Sequence, residues 1–320
     1  MDFNQITQVH ERAIQSHGFS SRWSFGYRPR MEHTLCVLGS LAYRKELSIL
    51  QAISHHICDF NHTTLLLHCG DNVDMVLSSL DLTRQVHVVN LVLCGISLPA
   101  DVYKVTLDKM EKQSCRVVLI LTNCPADIIH SHSNAYAITW SYHDLAYRAT
   151  NMLIQAGHTR IGTVHLEKYR DRWLGYLHAM KHAGIALDPS RIVEAGQLVS
   201  DTSIVDSDIM RRIQHFVLET DSTAVFAPTE LLTLAIPIQI YKNQNKLQHV
   251  ISVYGMAYPG WIGEGFNFPV GYIRYPIESV VQKALAILFQ KPMTGSDSPE
   301  SRHIDLTAFA AAVEPAPNPH

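Results

Sequence analysis

The chain has 320 residues, 47% of them apolar, and a formal charge of only −3. That balance excludes a polybasic or intrinsically disordered protein, and the length suits two globular lobes better than one. Six cysteines lie scattered through apolar runs with no C-x-x-C pair, the pattern of reduced core thiols in a cytoplasmic protein. The first twenty residues lack the apolar run of a secretion signal, and no uninterrupted apolar stretch is long enough to span a membrane. Nineteen histidines are many, but the neighbouring pairs His55-His56 and His130-His132 have no carboxylate or thiol at ligand spacing. No metal and no cofactor is expected.

In chain order, QITQVHERAIQSHGF has helical spacing, with Ile6, Val9, Ala13 and Ile14 on one side and Gly18 as a stop. Gly26 and Pro29 argue against a helix in the segment that follows. Four arginines there (Arg12, Arg22, Arg28, Arg30) face three acids (Asp2, Glu11, Glu32), too little to hold DNA through phosphates alone. From His33 strands and helices alternate. TLCVLG, TTLLLH, VVNLVLCG and RVVLILT read as buried strands. The helix between the first two carries Leu47, Leu50, Ile53, Ile57 and Phe60 on one face. A weaker helix spans Asn72 to Leu82, and DVYKVTLDKMEKQ is a third.

AITWSYHDLAYRATNMLIQAG supplies a strand, then a helix with Leu145, Ala149, Met152, Leu153 and Ala156 inward and Gly157 as its stop. The scheme then repeats. RIGTVH is a strand, a helix opens near Arg172 and closes at Gly184, and a short strand lies near Arg191 to Glu194. A helix around Asp208 to Leu218, the strand TAVFAP, a helix from Glu230 and the strand VISVYG follow. Pro237 lies inside the Glu230 helix and is expected to bend it or loosen one hydrogen bond. A last helix buries Ile277, Val280, Val281, Ala284, Leu285 and Leu288. HIDLTAFAAAV is expected to return to the second lobe as one strand, and 314–320 to be a disordered tail without leucine heptads. Apolar strands separated by helical spacers are what a parallel sheet covered on both faces requires. No Gly-x-Gly-x-x-Gly follows any strand, so a dinucleotide fold is not supported.

The string AGHTRIG, followed by R-W-L-G-Y and H-A-G-I-A-L-D-P, resembles the core signature of the LacI/GalR family of transcriptional regulators. TAVFAPTELLTLA, QHVISVYGMAY and GYIRYPIESVVQKALAILF resemble three further family blocks in the same order, so the likeness covers roughly residues 33 to 313. The resemblance implies an α/β, two-lobed periplasmic-binding-protein-like fold with crossover strands between the lobes. The first lobe is expected to hold 33–157 and 276–295, and the second 158–275 and 303–313. It also implies a cytoplasmic homodimer that senses a small effector, a sugar or sugar-like molecule, and is not an enzyme. Residues 1–32 resemble only the last helix of the family's DNA-binding headpiece and its hinge. Operator DNA is therefore a partner only if a helix-turn-helix lies upstream, and the alternative is a stand-alone binding module that has lost DNA contact.

Carried over position by position, the resemblance makes Ser40 and Tyr43, Thr122, Arg172, Thr229 and Tyr258 the candidate effector-binding residues. Thr229 and Glu230 stand where the family has Asn-Asp, and Ala257 and Tyr258 where it has Asp-Asp. Arg172 keeps its place while two counter-charges have become Thr122 and Ala257. That departure suggests an effector with its own negative charge, or a flat ligand stacked on Tyr43, Trp140 or Tyr258. No G-x-S-x-G, H-E-x-x-H or phosphate-cradling glycine loop is present. His143-Asp144 and His165 near Glu167 read as helix-start and loop polarity.

Overall fold

The computed structural model describes residues 32–38, 44–57, 60, 62–69, 72–195, 207–257, 270–289 and 299–313. Its first sheet contains β1 (His33–Leu38), β2 (Thr63–His68), β3 (Val88–Cys94), β4 (Arg116–Ile120) and β5 (Ala135–Thr139). The second contains β6 (Ile161–His165), β7 (Ile192–Glu194), β8 (Ala224–Ala227), β9 (Ser252–Ala257) and β10 (Val270–Arg274). Both use the same strand order. The first runs β2-β1-β3-β4-β5 and the second β7-β6-β8-β9-β10, with every one of these pairings parallel. Two late strands complete the sheets: β11 (His303–Asp305) joins β5 in parallel, and β12 (Ala311–Val313) joins β10 antiparallel.

The helices are α1 (Arg44–Ile57), α2 (Val73–Gln85), α3 (Ala100–Lys112), α4 (Ala126–His130), α5 (Tyr142–Gln155), α6 (Arg170–His182), α7 (Ser207–Glu219), α8 (Glu230–Asn243) and α9 (Ile277–Phe289). Strands such as VVNLVLC and RVVLI are buried almost throughout because both faces of the sheet are covered. One face of the first sheet packs on α2 and α3, and one face of the second on α7 and α8. The other two faces belong to a single continuous core that runs from α1 and α9 through Trp140 and Tyr275 to the strands of the second sheet. Gly157 and Gly184, the expected helix stops, have φ of +90° and +67°, where a side chain would be strained. Pro237 sits buried within α8, and the helix continues through it to Asn243.

Two segments sit elsewhere than the sequence suggested. α5, assigned to the first lobe, packs on α6 and on β8, β9 and β10 of the second sheet, so the chain crosses between sheets at 139–142. Its apolar face alone does not specify which sheet it covers. Residues 303–313 form two short strands on different sheets, not one strand in the second lobe. Three residues per strand carry too little alternation to assign a partner. α9 packs on the first sheet, as expected, where Arg116 donates to the carbonyls of Ile287 (3.3 Å) and Leu288 (2.8 Å) at its last turn.

The crossing segments are tied together. Arg148 on α5 donates to the carbonyls of Thr307 (3.0 Å) and Ala310 (2.7 Å), and Leu306 N–H donates to Thr139 O at 2.8 Å. Five described cysteines (Cys36, Cys69, Cys94, Cys115, Cys124) are buried free thiols. Burial pushes Cys36 and Cys115 up to about 12, so they are packing groups and not nucleophiles.

Candidate functional site

In sheets of this order, ligands bind outside the carboxyl ends of the strands, where the strand order reverses. Each sheet has such an edge, and sequence shapes the two differently. At the first, the chain leaves β3 through Gly95 (φ +64°) and β4 through Leu121 (φ +52°), both left-handed. Gly95 N–H donates to Ile120 O at 2.9 Å and Leu121 N–H to Ile138 O at 3.0 Å, which ties the ends of β3, β4 and β5 side by side. The glycine is needed on space grounds too, since a Cβ there would lie 2.7 Å from Glu46 Cγ.

A cavity of about 600 Å³ opens between this edge and the leading ends of α5 and α6. Its wall includes Glu46, Thr122, Thr139, Trp140, Tyr142 and Asp171. Ser141 also lines it and N-caps α5 by accepting from Asp144 N–H at 3.1 Å, the reason a helix starts here. Trp140 is only 3% exposed and stacks on Tyr275 with centroids 5.3 Å apart. Its indole Nε1 is buried without a hydrogen-bond partner among the described residues. A buried donor of that kind costs about 1–3 kcal/mol while it has no acceptor. Among the described lining residues there is no lysine or arginine, while Glu46 and Asp171 supply carboxyl groups.

At the second edge the described residues bring a buried arginine to the switch point. After β6 a short turn leads into α6, which places Arg172 across the switch point, 4% exposed. Its guanidinium donates to Pro228 O, just beyond β8, at 3.0 Å. It lies over the rings of Tyr142 and Tyr169, 4.5 and 4.3 Å from their centroids. Burial pulls the guanidinium toward its neutral form, but Tyr275, Glu230, Tyr142 and Tyr169 outweigh it and hold the pKa above its ordinary value. Tyr275 is raised well above the usual phenol range by burial, then by Glu230.

Of the sequence-derived candidates, Thr122 lies on the cavity wall. Arg172 is not among the described lining residues, but its guanidinium lies over the ring of Tyr142, which does line the cavity. Thr229, next to the carbonyl that Arg172 holds, uses its hydroxyl to cap α8, accepting from Leu232 N–H at 3.2 Å. Ser40, Tyr43 and Tyr258 lie outside the described residues, as does the segment 1–31. Sequence reasoning did not single out Glu46, Tyr142 or Asp171. The S-Y-H-D capping pattern directly after a strand could have flagged Tyr142, whereas nothing local marks Glu46.

No family model matches the sequence, and no curated protein matches it. Solved structures do share the fold. The Escherichia coli transcriptional repressor ascG is 14% identical, with a TM-score of 0.65 over 89% of this chain and 98% of that one. A LacI family transcriptional regulator from Enterococcus faecium with bound ribose is 16% identical, with a TM-score of 0.61 over 88% and 97%. The transcriptional regulator CelR in complex with cellobiose is 17% identical, with a TM-score of 0.62 over 96% and 89%. The fold of this chain is thus the two-lobed fold of LacI-type transcription regulators.

Proposed function

We propose that this chain is the effector-sensing part of a LacI/GalR-type transcriptional regulator, with a neutral polyhydroxylated molecule of the sugar class bound in the cavity at the first sheet edge. The observation that carries this reading is the cavity wall, where Trp140, whose buried indole N–H has no partner among the described residues, stands beside Thr122 and Thr139. A sugar combines an apolar ring face, suited to Trp140 and Tyr142, with hydroxyls that accept from Nε1 and donate to carboxylates. Two proteins of the same fold were solved with ribose and with cellobiose.

The anionic effector suggested by the sequence loses its main support. Arg172 is committed to Pro228 O, two rings and the nearby Glu230 carboxylate, and the described cavity wall offers carboxyl groups where an anion would need cations. On this reading the chain acts as a cytoplasmic homodimer, and operator DNA is a partner only if a helix-turn-helix is supplied upstream. Closure around the ligand would alter the geometry of that dimer.

A thermal-shift panel of neutral mono- and disaccharides against their phosphorylated counterparts tests the assignment. A neutral sugar at 100 times its dissociation constant should add about 2.7 kcal/mol of stability. The shift should shrink in Asp171→Asn and Thr122→Val. Stabilisation by phosphorylated compounds alone would overturn the choice of class.

A further inference from the structure

α5 and α6 lie side by side at close range because Gly175 leaves no side chain between them. A Cβ there would lie 2.8 Å from Ala146 Cβ and closer still to His143 O. Along the solvent side of this helix pair five side chains meet in two rungs. In the first, His143 Nε2 lies 2.7 Å from His178 Nδ1, and His143 Nδ1 lies 2.8 Å from Asp144 Oδ1. In the second, the Tyr147 hydroxyl lies 2.6 Å from His182 Nδ1. His178 and His182 are both exposed and stand four residues apart on one helix, so they share a face, with Cβ atoms about 5–6 Å apart.

We propose that His178 and His182 form a two-histidine chelate for a divalent transition-metal ion, with Asp144-His143 and Tyr147 as the outer shell that fixes their tautomers. The proton placement follows from the partners. An ionised carboxylate only accepts, so His143 carries its proton on Nδ1 and presents a lone pair at Nε2. His178 must then donate from Nδ1, which leaves the lone pair of its Nε2 facing solvent. The Tyr147 oxygen can accept from His182 Nδ1, which frees the second Nε2 in the same way. A metal-bound histidine usually has its other nitrogen held by a carboxylate, carbonyl or similar partner, and here both partners are in place.

Imidazole pairs suit Cu²⁺, Ni²⁺ and Zn²⁺ and do not suit Mg²⁺ or Ca²⁺. Among the described residues no group of three or more His, Cys, Asp or Glu donors converges on one point. The site is therefore an exchangeable two-ligand chelate completed by water, unlike a closed four-ligand structural zinc centre. It does not depend on the effector assignment.

Calorimetric titration of the full-length, untagged chain with Ni²⁺ tests the proposal, with melting curves to check folding. The expected result is a site whose affinity falls at least tenfold in His178→Gln and in His182→Gln. Tyr147→Phe and Asp144→Asn keep both ligands but should weaken binding by about 10–100-fold, a loss that only an outer-shell role explains. His55→Gln/His56→Gln should bind as the parent does. Unchanged affinity in the double variant His178→Gln/His182→Gln would overturn the chelate. Should that variant not fold, unchanged affinity in both Tyr147→Phe and Asp144→Asn would overturn it as well.

Discussion

The two sheets repeat one strand order, yet their carboxyl edges are put to opposite uses. At the first edge Trp140, whose buried indole N–H has no hydrogen-bond partner among the described residues, lines a cavity of about 600 Å³. At the second edge Arg172 already holds Pro228 O and lies over two tyrosine rings, so its guanidinium is engaged by described residues. A shared order of five parallel strands therefore frames two edges, and their described residues differ in chemistry. The open edge keeps one buried donor without a partner among the described residues, whereas Arg172 at the other edge is bound internally and acts as a bolt between α6 and the end of β8.

The comparison can be broken most directly at Arg172. Arg172→Met should destabilise the chain by about 3–5 kcal/mol, because the substitution removes the buried cation that Glu230 and the tyrosines face and frees a buried carbonyl. Urea unfolding of the ligand-free protein measures it. A cost below about 1 kcal/mol would mean that the guanidinium is not a bolt but a grip awaiting a ligand. Next in size is Gly175→Ala, which forces α5 and α6 apart and should cost about 1–3 kcal/mol by overpacking. Its backbone contacts, Tyr147 N at 2.9 Å and His143 O, cannot rotate away. Lost helix propensity cannot account for such a cost, since alanine is the better helix former.

The sequence made the frame of the molecule legible and left its contacts largely hidden. Apolar strands, helical spacers and glycine stops such as Gly157 and Gly184 each act within a few residues, so local pattern located them. Arg172 could be placed at a strand-to-helix handover for the same reason. Its acceptor at Pro228 and its ring at Tyr142 come from other elements, and no periodicity connects them. The loss of acids at Thr122 and Ala257 therefore suggested a free guanidinium, when Glu230 and the tyrosines already stabilise it. The spacing of His178 and His182 was equally visible, but their partners on α5 emerge only once the two helices are packed.

Smaller effects sharpen the contrast between edges. Burial pushes the Tyr103 phenol, on the outer side of the first sheet, up to about 12, and raises Tyr275, at the junction beside Arg172, well above the usual range. Unfolded phenols titrate near 10, so above that pH the unfolded chain binds fewer protons than the native one and stability falls. The contribution is complete below about pH 10 and declines by about 1.4 kcal/mol per pH unit per phenol as pH rises toward 12. Denaturant midpoints between pH 9 and 11.5 should show it, with a shallower slope in Tyr275→Phe. A flat profile would show that these phenols are not buried as described. Trp140→Phe separates stability from binding: the free protein should stay within about 1 kcal/mol of the parent, because an unsatisfied donor is removed along with some packing. Affinity for the stabilising sugar should fall roughly fivefold to tenfold, about 1–1.4 kcal/mol. Loss of stability without loss of binding would indicate that the indole N–H does not serve the cavity.

The finest test lies at Leu121, the non-glycine residue that turns the chain at the open edge with φ +52°. A bulky side chain in the left-handed region costs roughly 1–2 kcal/mol, and strain of this kind collects at ligand sites. Leu121→Ala and Leu121→Gly both remove most of the side chain's partly buried contacts with the central core, so their difference isolates the backbone. At an ordinary position glycine would be the less stable of the two by about 0.5–1 kcal/mol. Here the order should invert, with glycine the more stable by about 1 kcal/mol in chemical denaturation. If the strain also positions Thr122 toward the cavity, Leu121→Gly should bind the stabilising sugar more weakly than Leu121→Ala despite its greater stability. A glycine variant that is less stable than alanine would remove the strain from the account of this edge, and equal sugar affinity in the two would confine it to stability.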